Sequence, residues 1–184
     1  MAFTLTKMAI PEVLLLIPKI YPDSRGFFLE SYNKKEFAEL GILIDFVQDN
    51  FSRSFKGVLR GLHYQADPMA QGKLVRCVRG EIFDVAVDIR KGSPSYGKWV
   101  SANLSEENQH QFYVPPGFAH GFCVLSDIAD VIYKATNFYA PSLDRGVLWS
   151  DKTINIDWPV DSPILSEKDN NLPNLADALD QFTY

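Results

Sequence analysis

The sequence predicts a mainly β domain, a sandwich or barrel of short strands, on three observations. Gly and Pro, eleven of each in 184 residues, are spread evenly, so turn signals recur along the whole chain. Aromatic residues make up 13 % of it, as suits pleated, half-buried surfaces. Residues 81–90 alternate strictly, with Phe83, Val85, Val87 and Ile89 on one side and Asp84, Ala86, Asp88 and Arg90 on the other. That is the period of a strand with one apolar and one charged face. A single core at this length already buries most of the apolar surface, so residues 1–184 are expected to form one domain.

Taken in order, residues 13–17 and 27–32 read as strands, the second opened by the turn Asp23-Ser24-Arg25-Gly26. Asn33 then offers an N-cap, Glu36 stands three residues on as in a capping box, and Gly41 supplies a stop. This predicts a short helix over 34–40, placed on the surface as a lid. Further strands are expected at 73–78, 99–104, 112–114, 122–125 and 131–136. Leu172, Leu175, Leu179 and Phe182 recur at helical intervals and predict a C-terminal amphipathic helix packed on the barrel.

The net charge of −5 argues against general affinity for nucleic acid or anionic membrane, so any phosphate must be held by a local pocket. The N-terminal stretch has only a five-residue apolar run and is broken by Pro11 and Pro18, unlike a signal peptide or a membrane span. A cytoplasmic protein is expected. Cys77 and Cys123 stand alone in apolar, strand-like surroundings, as buried free thiols do in a reducing compartment.

Several residues carry chemistry. In VLRGLHYQ, a strand would aim Arg60 and His63 to opposite faces unless a turn or bulge at Gly61 intervenes, in which case both border one pocket mouth. His63 is either a base able to take a carbon-bound proton or a structural histidine in a turn. In QGKLVRCVRG, Lys73 shares a face with Val75 and Cys77. It is either an interior cation able to stabilise an enolate or hold a phosphate, or a strand-end lysine in solvent. Pro116-Gly117-x-x-His120 matches the second half-motif of cupin barrels, but the companion His-x-His cluster is missing, so no metal site is expected. His120 is then an orienting donor or a core histidine. Tyr133 has a phenol able to give up a proton, and the aromatics just after its strand, Phe138 and Tyr139, could stack on a base, although strand aromatics are usually core. In LSEKD, Asp169 either orients His63, as the acid does in a triad, or caps the last helix together with Asn170.

The segments DSRGFFLESY, FVQDN, VLRGLHYQ, QGKLVRCVRGEIFDVAVDIRKGSPSYGKW, PPGFAHGF, YKATNFYAP and LSEKD, in that order, resemble the dTDP-4-dehydrorhamnose 3,5-epimerases, cupin-type enzymes of dTDP-L-rhamnose synthesis. The resemblance spans nearly the whole chain. It implies a cupin-like jelly-roll barrel with a few short helices, no cofactor, and a dTDP-linked 4-keto-6-deoxy sugar as substrate. It further implies His63 as base, Tyr133 as proton donor from the opposite side of the sugar, Asp169 as partner of His63, and Lys73 as stabiliser of the enolate. His120 lies close by, with Asp84 a neighbour. Arg60, Arg25 and Lys168 match positions around the diphosphate, while Gln48, Asn50, Glu30 and Tyr139 match the nucleotide end. Asp144 stands where a glutamate is familiar, and Tyr64 where many members carry Phe. The family's homodimer passes the segment with Arg25, Phe28 and Glu30 to the neighbouring subunit. Relatives that invert carbon 3 or carbon 5 alone, and ketoisomerases, share much of this pattern, and retained Tyr133 favours inversion of both. A non-catalytic sugar-nucleotide binder is the reading from another class, and the co-occurrence of His63, Tyr133, Lys73 and Asp169 speaks against it.

Overall fold

Thirteen strands are described in the computed structural model, which covers residues 2–184. In chain order they are β1 (Phe3–Lys7), β2 (Leu14–Pro18), β3 (Tyr21–Asp23), β4 (Gly26–Phe28), β5 (Gln48–Phe55), β6 (Leu59–Gln65), β7 (Lys73–Arg79), β8 (Glu81–Asp88), β9 (Trp99–Ser105), β10 (Gln111–Val114), β11 (Phe118–Val124), β12 (Ile128–Ala135) and β13 (Asp144–Gly146). Two antiparallel sheets form the barrel, one ordered β1-β2-β10-β7-β12-β5 and the other β13-β6-β11-β8-β9. Strands β3 and β4 make a separate hairpin. Two facing sheets joined by crossovers of this kind are a jelly-roll barrel.

The core fills the space between the sheets. Val75, Cys77, Phe112 and Val131 from the first meet Ile82, Ala86, Val100 and Phe122 from the second. Strand β8 therefore turns its charge-bearing face inward, and Asp84 is wholly buried. Its apolar face, Val85 and Val87, is covered from outside by Val147, Ile154, Leu175 and Ala178 of the C-terminal segment.

The helix expected over 34–40 is α1 (Lys34–Glu39). The Asn33 side chain accepts the N–H groups of Lys35 and Glu36, as the cap requires. Glu36 bonds the Ala2 N–H instead of closing a capping box. This helix is not a lid. Phe37 is 1 % exposed and packs with Phe3, Leu16, Leu74 and Tyr113 on the outer face of the first sheet, away from the barrel interior.

The strand expected at 27–32 shrinks to the exposed β4, and β1, β5 and β13 are strands beyond those expected. The C-terminal amphipathic helix is overturned. Residues 172–182 hold only one 3-10 turn, Leu175–Asp177, and Leu179 is 66 % exposed, so the leucine spacing does not mark one buried face. Extended contacts win there. The Gln181 amide donates to the carbonyls of Leu175 and Ala178, the Tyr64 hydroxyl to that of Leu179, and Thr183 bridges Lys91. The short helix at this end is α2 (Glu167–Asn170), capped by Ser166.

Candidate active site

The site is built around an irregularity in β6. Across β6 and β11, His63 pairs with His120 but Arg60 pairs with Phe122, so three steps on one strand match two on the other. A bulge of this kind turns residues that would oppose each other toward one side, and Arg60 and His63 line one cleft of about 260 Å³ with Ser166 and Asp169. Gly61 makes it possible. Its φ is +120°, and a Cβ there would stand 2.7 Å from the Gly121 Cα and the His120 carbonyl oxygen.

His63 Nε2 donates to Asp169 Oδ1 at 2.5 Å, bringing together residues 106 apart in sequence. Asp169 is 3 % exposed. Burial alone would push its carboxyl up, but hydrogen bonds from His63, Ser166 and the Gly61 backbone hold it below the usual carboxylate range. The cap of α2 is Ser166, whose oxygen accepts the Asp169 N–H, so Asp169 serves the histidine and not the helix start.

A second cleft of about 220 Å³ adjoins the first, sharing His63 and Lys168, and is also lined by Lys73, Tyr133, Tyr139 and Asp144. Lys73 opens β7 between Val114 of β10 and Ala135 of β12, which sets its side chain on the face that Tyr133 also uses. Desolvation pushes the Lys73 ammonium down to about 8, against the pull of Asp144 and Asp84. Burial pushes the Tyr133 phenol up, with Arg60 opposing.

Behind this wall His120 Nε2 bonds Asp84 Oδ1 at 2.7 Å, and the pair is buried. Burial raises the Asp84 carboxyl despite His120 and Lys73 beside it. His120 is thus a core histidine with a carboxylate partner, next to the clefts and lining neither. Among the described residues no three His, Cys, Asp or Glu side chains converge as metal ligands would.

Asp144 accepts from Lys168 Nζ at 2.5 Å and from the Tyr139 hydroxyl at 3.1 Å. Gln48 donates to Asn50 at 2.9 Å and accepts the Tyr139 N–H at 2.9 Å, which puts both amides beside the Tyr139 loop. Arg60 is held by Ser54 at 2.9 Å. Arg25 and Glu30 are not brought to either cleft. Arg25 sits in the β3–β4 hairpin, its side chain 87 % exposed and paired with Asp23, and Glu30 is met by the Asn33 amide. Sequence reasoning passed over Ser166, Gln65 and Gln71. Polar residues beside a motif carry no periodic signal, and only the fold brings them to the cleft walls.

Comparison with known proteins decides the family, because the dTDP-4-dehydrorhamnose 3,5-epimerase model matches residues 7–177. The chain belongs to the dTDP-4-dehydrorhamnose 3,5-epimerase family. It is 62 % identical over 173 residues to the dTDP-4-dehydrorhamnose 3,5-epimerase of Shigella flexneri, covering 94 % of this chain and 96 % of that one. A crystal structure of dTDP-6-deoxy-D-glucose-3,5-epimerase from Legionella pneumophila in complex with dTDP-4-keto-L-rhamnose superposes with a TM-score of 0.92. Its identity is 52 %, and the match covers 95 % of this chain and 93 % of that one. More distant, at 40 % over 177 residues, is a dTDP-4-dehydrorhamnose 3-epimerase from Streptomyces niveus, with 96 % of this chain and 86 % of that one covered. The cupin-type jelly roll and the isomerase class expected of this epimerase family are those of the chain.

Proposed function

We propose that the chain converts dTDP-4-dehydro-6-deoxy-D-glucose to dTDP-4-dehydro-L-rhamnose by inverting carbons 3 and 5, in dTDP-L-rhamnose biosynthesis and without a cofactor. One observation carries this reading: His63, held by Asp169, lines one cleft with Tyr133 and Lys73. The ketone at carbon 4 acidifies the protons on both neighbouring carbons. With Nε2 committed to Asp169, Nδ1 of His63 takes such a proton, and Asp169 stabilises the imidazolium that results. Lys73 neutralises the enolate oxygen in a desolvated setting where its charge counts most. Tyr133, a neutral phenol, returns a proton from the opposite side of the ring.

Arg60 and Lys168 supply the local positive charge that an acidic protein needs to hold a diphosphate. Gln48, Asn50, Tyr139 and Asp144 sit together at the nucleotide end. His120, with Asp84, backs the reacting ring. Arg25 and Glu30 enter from a second subunit, an arrangement supported by the exposure of Arg25 and by Phe27 and Phe28 standing 57 % and 65 % exposed on the same hairpin. The protein works in the cytoplasm, and no helix among the described residues is long and apolar enough to cross a membrane.

The test is incubation with the substrate in heavy water, following deuterium at ring carbons 3 and 5 by NMR. Label at both is expected, and its loss in a folded His63→Ala variant. Label at one carbon alone would make the chain a single-centre epimerase, and wild-type exchange by His63→Ala would remove His63 as the base.

A further inference from the structure

The loop after β12 ends in two exposed aromatics, Phe138 and Tyr139, at 60 % and 56 % exposure. Exposed loop backbone of this kind is ordinarily solvated and mobile. Here its polar groups are taken, one after another, by side-chain amides. Gln71 Nε2 donates to the Asn137 carbonyl at 2.7 Å. Gln65 Nε2 donates to the Phe138 carbonyl at 2.9 Å, and Gln65 Oε1 accepts the Ala140 N–H at 2.8 Å. Between these two contacts the Tyr139 N–H goes to Gln48 Oε1 at 2.9 Å. Gln65 is only 4 % exposed and also binds the Met69 carbonyl, which ties the loop to the chain ahead of β7. The far end of the Tyr139 ring is held as well, by its hydroxyl on Asp144.

Three neutral amides can do what charged groups in the same places cannot. Each offers a donor and an acceptor at once, so a carbonyl and an N–H flanking one residue are satisfied by a single side chain. Fixing a loop in advance lowers the ordering cost that a ligand must otherwise meet. We propose that Gln65, with Gln71 beside it, is a positioning residue for nucleotide recognition, clamping the backbone on both sides of Tyr139 so that its ring is a pre-set stacking platform for the base. Gln65 touches no reacting atom and acts through Tyr139. This rests on the reading that Tyr139 meets the nucleobase.

The experiment is titration of the full chain with dTDP, together with steady-state kinetics, for Gln65→Met, Gln71→Ala, Tyr139→Ala and the double variant Gln65→Met/Tyr139→Ala. Gln65→Met keeps the volume and removes both hydrogen bonds to the loop together with the one to Met69, and Gln71→Ala is a milder cut should the first fail to fold. Tyr139→Ala is expected to weaken dTDP about tenfold, the loss of one stacked base. Gln65→Met should weaken dTDP and raise KM by a similar factor with kcat within about twofold, Gln71→Ala by less, and the double variant should bind no worse than Tyr139→Ala. A merely structural role would lower kcat with KM or add to the Tyr139 loss. Wild-type affinity in both glutamine variants, or additive losses in the double variant, would overturn the inference while Tyr139→Ala still upholds the stacking reading. Unchanged affinity in Tyr139→Ala would overturn that reading, and the inference with it.

Discussion

Lys73 and Tyr133 share one desolvated wall, and burial acts on them in opposite chemical senses. It disfavours the charged form of each, so the lysine is pushed down to about 8 and the tyrosine up from its ordinary value. Lys73 is a cation below about pH 8 and neutral above, so a step that needs its charge is fully supported below that pH and lost as pH rises through it. We predict an alkaline limb near pH 8 in kcat/KM, falling about tenfold per unit above it. Lys73→Arg, slower overall, should lack that limb because its charge persists, and a pH series of deuterium exchange checks this. Tyr133 stays protonated across the same range and sets no competing limb. Asp169 answers a separate question. Asp169→Asn keeps the shape but removes the charge that stabilises protonated His63, and kcat should drop about a hundredfold or more at unchanged fold. A kcat within twofold of wild type, with circular dichroism unaltered, would reject that role. At this scale the sequence displayed the residue types and left Asp169 with two readings, partner of His63 or cap of the last helix. The fold joins His63 to Asp169 across 106 positions, and it sets His120, an orienting donor or a core histidine by sequence, against Asp84 in the core.

Strand β6 sets the site by a local departure from regularity. The bulge that turns Arg60 and His63 toward one cleft needs Gly61 at φ +120°, with backbone on two sides of the space a Cβ would take. Gly61→Ala therefore meets both a strained φ and an immovable wall, and should lower stability by about 2 kcal/mol or more. Urea unfolding reads this as a fall in midpoint without a change in slope. The bulge was legible because Gly61 interrupts a strand pattern between two polar residues whose joint use requires it. Helix α1 was legible from Asn33, which fills its cap as the spacing implies. What spacing could not give was direction. The alternation gives β8 one apolar and one charged face without saying which is inside, and the charged face is inward because the apolar face is claimed by the C-terminal segment. The leucines near that terminus read as a helix for the converse reason. Their backbone partners lie in distant elements, Tyr64 and Lys91 among them, which a local period does not encode.

For the whole molecule, the β5 edge and the β3–β4 hairpin present exposed aromatics. Strand β5 ends the first sheet and exposes Phe51 and Phe55, each 62 %, while Tyr21, Phe27 and Phe28 stand out on the hairpin with Arg25. An open strand edge flanked by aromatics is a surface that folded chains normally cover. Two copies related by a twofold axis would cover both, since each hairpin then lies against the other barrel. Under that arrangement every active site takes His63 from one chain and Arg25 from the other, and this yields a prediction that no single-chain site shares. Arg25→Ala and His63→Ala chains, each nearly inactive alone, should regain activity when unfolded together and refolded as a mixture. In a heterodimer one site unites the intact His63 of the first chain with the intact Arg25 of the second, while the other site loses both. Random pairing makes half the dimers mixed, so about a quarter of wild-type activity should return. Recovery at that level, with sedimentation giving twice the chain mass, would establish the exchange. Activity no greater than the sum of the two variants would confine each site to one chain and leave the hairpin aromatics needing another partner.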